Sequence, residues 1–385
     1  MHVLSITKLL SEIFFNKDFD ISKLESLTQK EKDTFVDYIS KSRVESYVLK
    51  NIGEIGAKTL GIANFFKLKN NGAARTIRTL ENIRFSKKIN SELSTKRIKH
   101  IFLKGINMHQ HIYSSEHTIR PISDIDILIE KKDLTEVLNI VHDLGFDISR
   151  WQAIEKEGFE LYRNPNPFHK NGQAQIDIHT EIQGSMYQDE IDFDSFTRDL
   201  IHSGQHFCNV EDLFINCLFH GTRQSNYNVG PIFMIDLWHF FHLKEINWSA
   251  VSKKVSKYGL ETEIGFILKY FCTKVVLPLE LKKFLKPCDI TESELNAIFM
   301  AQPKNSSIFS AFSINGLNIL AKKFFSKKYV KDHSFQKFTV IDFCTNLFHL
   351  FKKNLSTRNK VKGEMMVSKL RFKLLRKGKK LVGEK

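Results

Sequence analysis

Apolar and polar positions alternate along the chain with two different periods, and the change of period sets out the predicted elements. In residues 1–95 apolar side chains recur at helical spacing, first Leu9, Leu10, Ile13 and Phe14, then Phe35, Tyr38 and Ile39. Gly53 to Gly61 predicts a break. Ile77, Leu80, Ile83, Ile89 and Leu93 predict a long helix that leads into residue 101. Between 99 and 183 the period shortens. Residues 101–103 form an apolar run ending at Lys104-Gly105, and Ile125, Ile127 and Ile129 alternate with Asp124, Asp126 and Leu128, which predicts a strand over 124–129. Helices are expected over 107–113 and over 134–144, the second capped by Asp133 and stopped by Gly145. Residues 146–148 read as a further strand. Asn171-Gly172 is a hairpin signal before another alternating run, 175–179. From 195 to 350 helical spacing returns, through Leu213, Phe214, Cys217 and Leu218, then Phe233, Met234, Leu237, Trp238 and Phe241. The pattern predicts an α+β protein with its strands gathered in a core at 96–195. A helical segment at 1–95, a helical domain at 196–350 and a basic tail at 351–385 flank it.

The chemistry concentrates in the strand-like part. A strand places residues two apart on one face, so Asp124 and Asp126 point the same way, a few ångströms apart. Like charges so placed repel and call for a compensating cation. Magnesium suits all-oxygen ligands and bridges carboxylates to phosphates. A third carboxylate, Asp177, stands in the run 175–179, and His179 follows it at strand spacing, towards the same cleft. The competing reading is a solvated strand face, although aspartate is disfavoured in strands. Lys104 reads either as a phosphate contact or as a solvated strand-end lysine. Gly105 allows close backbone approach to a phosphate, or a tight turn. Arg120 offers a fork to a phosphate, or an ion pair with Asp124 or Asp126. Ser123 suits a phosphate donor or a turn. His109 and His111 are two apart and do not share a helical face, and no His or Cys pair has zinc-ligand spacing. Gly-x-Ser-x-Gly, the P-loop and Gly-x-Gly-x-x-Gly are all absent.

Leu103-Lys104-Gly105, Arg120-Pro121, Asp124-Ile125-Asp126-Ile127-Leu128 and Ile176-Asp177-Ile178-His179 together resemble the bacterial family of uncharacterised nucleotidyltransferases, within the DNA polymerase β-like superfamily. The superfamily usually carries Gly-Ser or Gly-Gly after its first strand, with a shorter gap to the carboxylates, whereas this chain has Lys104-Gly105 and a longer gap. The resemblance implies a polymerase β-like core, a mixed sheet with helices, that moves a nucleoside monophosphate from an NTP, ATP among them, to a hydroxyl. Two Mg²⁺ ions would be held by Asp124, Asp126 and Asp177. It also implies nucleotide contacts from Lys104, Gly105, Ser123 and Arg120. The acceptor is expected between the core and the helices after residue 195, with its identity open among sugars, small metabolites, peptides and protein side chains.

Composition adds three points. With 385 residues, 42% hydrophobic and 26% charged, the chain has the mix of an ordinary globular protein of two or three domains. Five cysteines in odd number, with no Cys-x-x-Cys, argue against a disulfide framework and for a reducing, cytoplasmic setting; no signal peptide or spanning segment is read. The net charge of +15 draws largely on residues 352–385, where 13 basic residues stand against 2 acidic ones. That tail reads as a solvated end, or as a peripheral contact with an anionic membrane or nucleic acid. A non-catalytic protein that keeps the fold and docks through this tail is therefore the alternative to an enzyme.

Overall fold

The computed structural model describes residues 3–114, 119–149, 168–170, 174–180, 182, 197, 199–201, 206–225, 227–285 and 290–302. The expected hairpin at 171–173, the basic tail and all other residues after 302 lie outside them. Five helices come first: α1 (Val3–Phe15), α2 (Ser22–Glu25), α3 (Gln29–Ser42), α4 (Glu45–Thr59) and α5 (Ile62–Thr95). Thr28 and Glu31 close a reciprocal cap at the start of α3, which satisfies donors that a helix start otherwise leaves free. The expected break at 53–61 is two breaks with helix between them. Gly53 (φ 66°) kinks α4, and Gly61 (φ 98°) turns the chain into α5.

The 34-residue α5 feeds β1 (His100–Phe102), and α6 (Lys104–His111) follows at once. Then come β2 (Ile125–Ile129), α7 (Leu134–Asp143), β3 (Phe168–Lys170) and β4 (Ala174–His179). The strands form one mixed sheet in the order β1-β2-β4-β3, in which only β2 and β4 run parallel. Parallel neighbours need a crossover connection, and here it contains α7. Residues 146–148 are not a strand. Phe146 and Ile148 instead bury their side chains under the sheet, so their alternation reports burial without pairing.

The chain then returns to helices: α8 (Val210–Phe219), a single π turn (His220–Gln224), α9 (Pro231–His242), α10 (Trp248–Lys257), α11 (Glu261–Phe271), α12 (Leu279–Lys282) and α13 (Glu292–Phe299). Two apolar cores form, one on each side of the sheet. Ile125, Ile127, Ile129, Ile176 and Ile178 pack against Phe85, Ile89 and Leu93 of α5 and Val137, Leu138 and Val141 of α7. Ile101, Leu103 and Leu128 face the other way, into a larger core shared by the first and last helices. Two polar contacts tie those helices together: Ser11 Oγ lies 2.8 Å from Tyr270 Oη, and the Tyr38 hydroxyl donates to the Met300 carbonyl at 3.0 Å. None of the described helices is long and apolar enough to cross a membrane. The described cysteines Cys208, Cys217 and Cys272 are free thiols.

Candidate active site

Side chains alternate across β2, so the isoleucines that fill one core force Asp126 to the opposite face. There the parallel register sets Asp126 directly beside Asp177 of β4. His179, two residues on, shares that face. Its Nε2 lies 2.9 Å from Asp126 Oδ1 and 3.4 Å from Asp177 Oδ2, so one imidazole edge bridges two carboxylates. Asp126 is 1% exposed. The Lys104 ammonium reaches Asp126 from the start of α6 and forms an ion pair with it.

The backbone around Lys104 explains how it gets there. Leu103 N–H donates to the Asp126 carbonyl at 2.9 Å, which holds the end of β1 against β2. The chain turns into α6 with Lys104 itself at positive φ (44°), a conformation uncommon for a residue with a side chain. Gly105 is not the left-handed residue. A Cβ added to it would lie 3.1 Å from both Arg120 Nη1 and Ile122 Cγ2, so this glycine admits the segment that leads into β2.

That segment is pinned from α5. Ile122 N–H donates to Thr79 Oγ1 at 2.9 Å, and Asn82 Nδ2 donates to the Ile122 carbonyl at 3.0 Å. Asp124 follows, just before the strand rather than within it, and accepts from the Ser123 hydroxyl at 3.1 Å. It is in electrostatic contact with Asp126, Asp177 and Lys104 but lies outside the tightest cluster.

Arg120 is placed elsewhere. Its Nε and Nη2 hold the two oxygens of Asp236 on α9 at 2.8 and 2.9 Å, and the Tyr113 hydroxyl donates to the same carboxylate at 2.8 Å. The fork expected at a phosphate, or at Asp124 or Asp126, thus clamps the core to the following helices. His109 does not act as a ligand either: its Nε2 lies 2.8 Å from the Arg120 carbonyl, inside the same buried joint.

The electrostatics follow from burial and crowding. Burial, with Asp126 as neighbour, raises the Asp124 carboxyl to about 6. Burial also raises Asp177, with His179 opposing and Asp126 reinforcing. Asp126 is buried too, yet Lys104 and His179 outweigh burial and hold it well below the usual carboxylate range. Burial disfavours the Lys104 ammonium, but Asp126 and Asp124 overcome this and raise its pKa. His220, at the π turn, is lowered to about 4 by burial, with Lys104 adding to the shift. It is therefore neutral at pH 7, and its Nδ1 lies 3.0 Å from Gln224 Oε1.

Asp126, Asp177 and His179 each bring one ligand atom, and all three lie within 4.8 Å of one another. Two carboxylates joined by an imidazole, with a third carboxylate adjacent, fit a divalent cation. The sequence picked out the carboxylates and gave His179 as facing their cleft. It missed His220 and the Asp236 partner of Arg120. Both sit on helices, where spacing alone does not separate a site residue from a packed one.

With that geometry in hand, comparison with known proteins gives the class. The uncharacterised nucleotidyltransferase family matches residues 28–273, so the chain belongs to that family. The matched region begins inside the N-terminal helices and ends beyond α11, wider than the motifs alone suggested. Neither a curated protein nor a solved structure matches the chain.

Proposed function

We propose that the protein transfers a nucleoside monophosphate from an NTP to a hydroxyl acceptor. The observation that carries this reading is the parallel register that sets Asp126 beside Asp177, with His179 across both, in a chain of nucleotidyltransferase family. In the reaction an acceptor oxygen forms a bond to the α-phosphorus, the bond from that phosphorus to its bridging oxygen breaks, and pyrophosphate leaves. Asp126, Asp177 and Asp124 would hold Mg²⁺, two ions in the full reading. When bound, magnesium neutralises phosphate charge and lowers the pKa of a hydroxyl.

The protein's own groups supply position and charge. Asp177, whose carboxyl burial raises, is the group proposed to take the acceptor proton. Lys104 lies against Asp126 and in the field of Asp124 and Asp177, and its ammonium is the group proposed to steady developing negative charge. Ser123 and Gly105, on the two segments that meet beside Asp124, are the proposed nucleotide contacts. The neutral His220 faces the same polar cluster from the C-terminal helices, where the acceptor would bind.

A second reading has one observation in its favour: Lys104 already neutralises Asp126 internally, as in a fold kept for binding alone. Incubating the protein with Mg²⁺, α-phosphate-labelled NTPs and cell extract separates the two by labelled product. The Asp126→Asn and Asp177→Asn variants are expected to lose at least about a thousandfold in transfer rate while keeping their helical circular dichroism. Transfer unchanged in both variants would refute the enzyme reading.

A further inference from the structure

The face of α5 that pins Ile122 carries more than Thr79 and Asn82. Arg75 and Arg78 stand at the preceding positions of the same helical stripe, so they face the segment that delivers Asp124. Arg78 Nη2 donates to Gln175 Oε1 at 3.2 Å. Gln175 lies on β4 two residues before Asp177 and shares its face. The Arg78 Nε is buried and has no hydrogen-bond partner. Arg75 plays a different part. Its Nε holds Glu45 at 3.0 Å and its Nη2 donates to the Ser40 carbonyl at 2.8 Å, which fixes the turn between α3 and α4. Arg43 sits in that turn at positive φ (60°) and is in electrostatic contact with Asp124, Arg75 and Arg78. Three guanidiniums thus converge at one end of the acidic site, and among the described residues Glu45 is the carboxylate paired with them. Among the described residues neither Arg43 nor Arg78 closes on a carboxylate.

An ordinary structural cluster would neutralise such charge, because crowded like charges destabilise a fold unless a partner compensates them. A planar fork of donors is the side chain best matched to phosphate oxygens. We propose that Arg78 and Arg43, braced by Arg75, form a polyphosphate subsite beside Asp124 that takes the β and γ phosphates of the donor nucleotide. The inference rests on the nucleotidyltransferase reading for its ligand, and it adds the residues that would separate a triphosphate from a monophosphate.

Calorimetry on the full chain with Mg²⁺, using tripolyphosphate, an NTP and the matching NMP as probes, tests it. Arg78→Gln and Arg43→Gln are each expected to weaken tripolyphosphate and NTP binding about tenfold. NMP affinity and melting temperature should stay near wild type, and Arg78→Lys should recover part of the loss. Unchanged tripolyphosphate affinity in the double variant overturns the subsite, as does an equal loss of NMP affinity. So does a wild-type protein that takes up neither polyphosphate. Transfer that needs Asp177 but ignores both arginines sinks the subsite and leaves the enzyme reading standing. Arginine-dependent polyphosphate binding without any transfer does the reverse.

Discussion

At the scale of single residues, this protein keeps charge inside by pairing it, and His100 shows how narrow the tolerance is. His100 is 2% exposed, stacks on His206 with ring centroids 4.4 Å apart, and places Nδ1 2.9 Å from the Ile98 carbonyl. Burial lowers its pKa to about 4 from an ordinary value of 6.5. The folded state therefore favours the neutral ring, whereas the unfolded chain protonates near 6.5. Stability is in full above pH 6.5 and falls as pH drops through the window from 6.5 to 4. Urea titrations across that range should show a loss of about 1–3 kcal/mol from this group, and His100→Gln should flatten it. The carboxylates of the site were legible at this scale, because Asp124-Ile125-Asp126-Ile127 is an unusual way to enter a strand. The role of Arg120 was not, because its partner Asp236 lies over a hundred positions away and nothing local announces it.

At the scale of elements, the strands and most helices could be read from their periods, with ends shifted by a few residues. The failure at 146–148 has a simple cause: two apolar residues two apart look alike whether a ladder or only a core receives them. The π turn after α8 was also invisible, since one extra residue in a turn leaves no sequence period. It has a steric keystone. A Cβ on Gly221 would lie 2.3 Å from the Phe233 ring, a distance no real contact sustains. Gly221→Ala should push α9 away from α8 and cost about 1–3 kcal/mol, measured by denaturant unfolding. Because His220 is the preceding residue, nucleotide transfer should fall as well, and a variant with normal transfer would show that the π turn does not position the site.

At the scale of the whole molecule, the mixed sheet is not a separate body with helices appended. One face of it helps to build a core shared by the first and last helices. The Arg120–Asp236 pair, with Tyr113, is the buried joint between β-sheet segment and C-terminal helices. Asp236 lowers the cost of burying Arg120, and the guanidinium stays charged with its pKa raised. Arg120→Lys replaces a two-pronged contact with a single ammonium and should destabilise the protein by about 2–4 kcal/mol, read as a lower melting temperature. Asp236→Asn should act in the same direction. Sequence periods predicted helical flanks but not that they meet, since contacts across some 260 positions follow from packing rather than from spacing.

The side-by-side placement of Asp126 and Asp177 has a temporal consequence. Strands that run the same way cannot meet through a tight turn, so this pairing waits until the intervening chain has closed its loop. An ion that needs both carboxylates has nothing to grip before then. Magnesium should accordingly slow unfolding while leaving the refolding rate unchanged, and stopped-flow measurements with and without EDTA would register the difference.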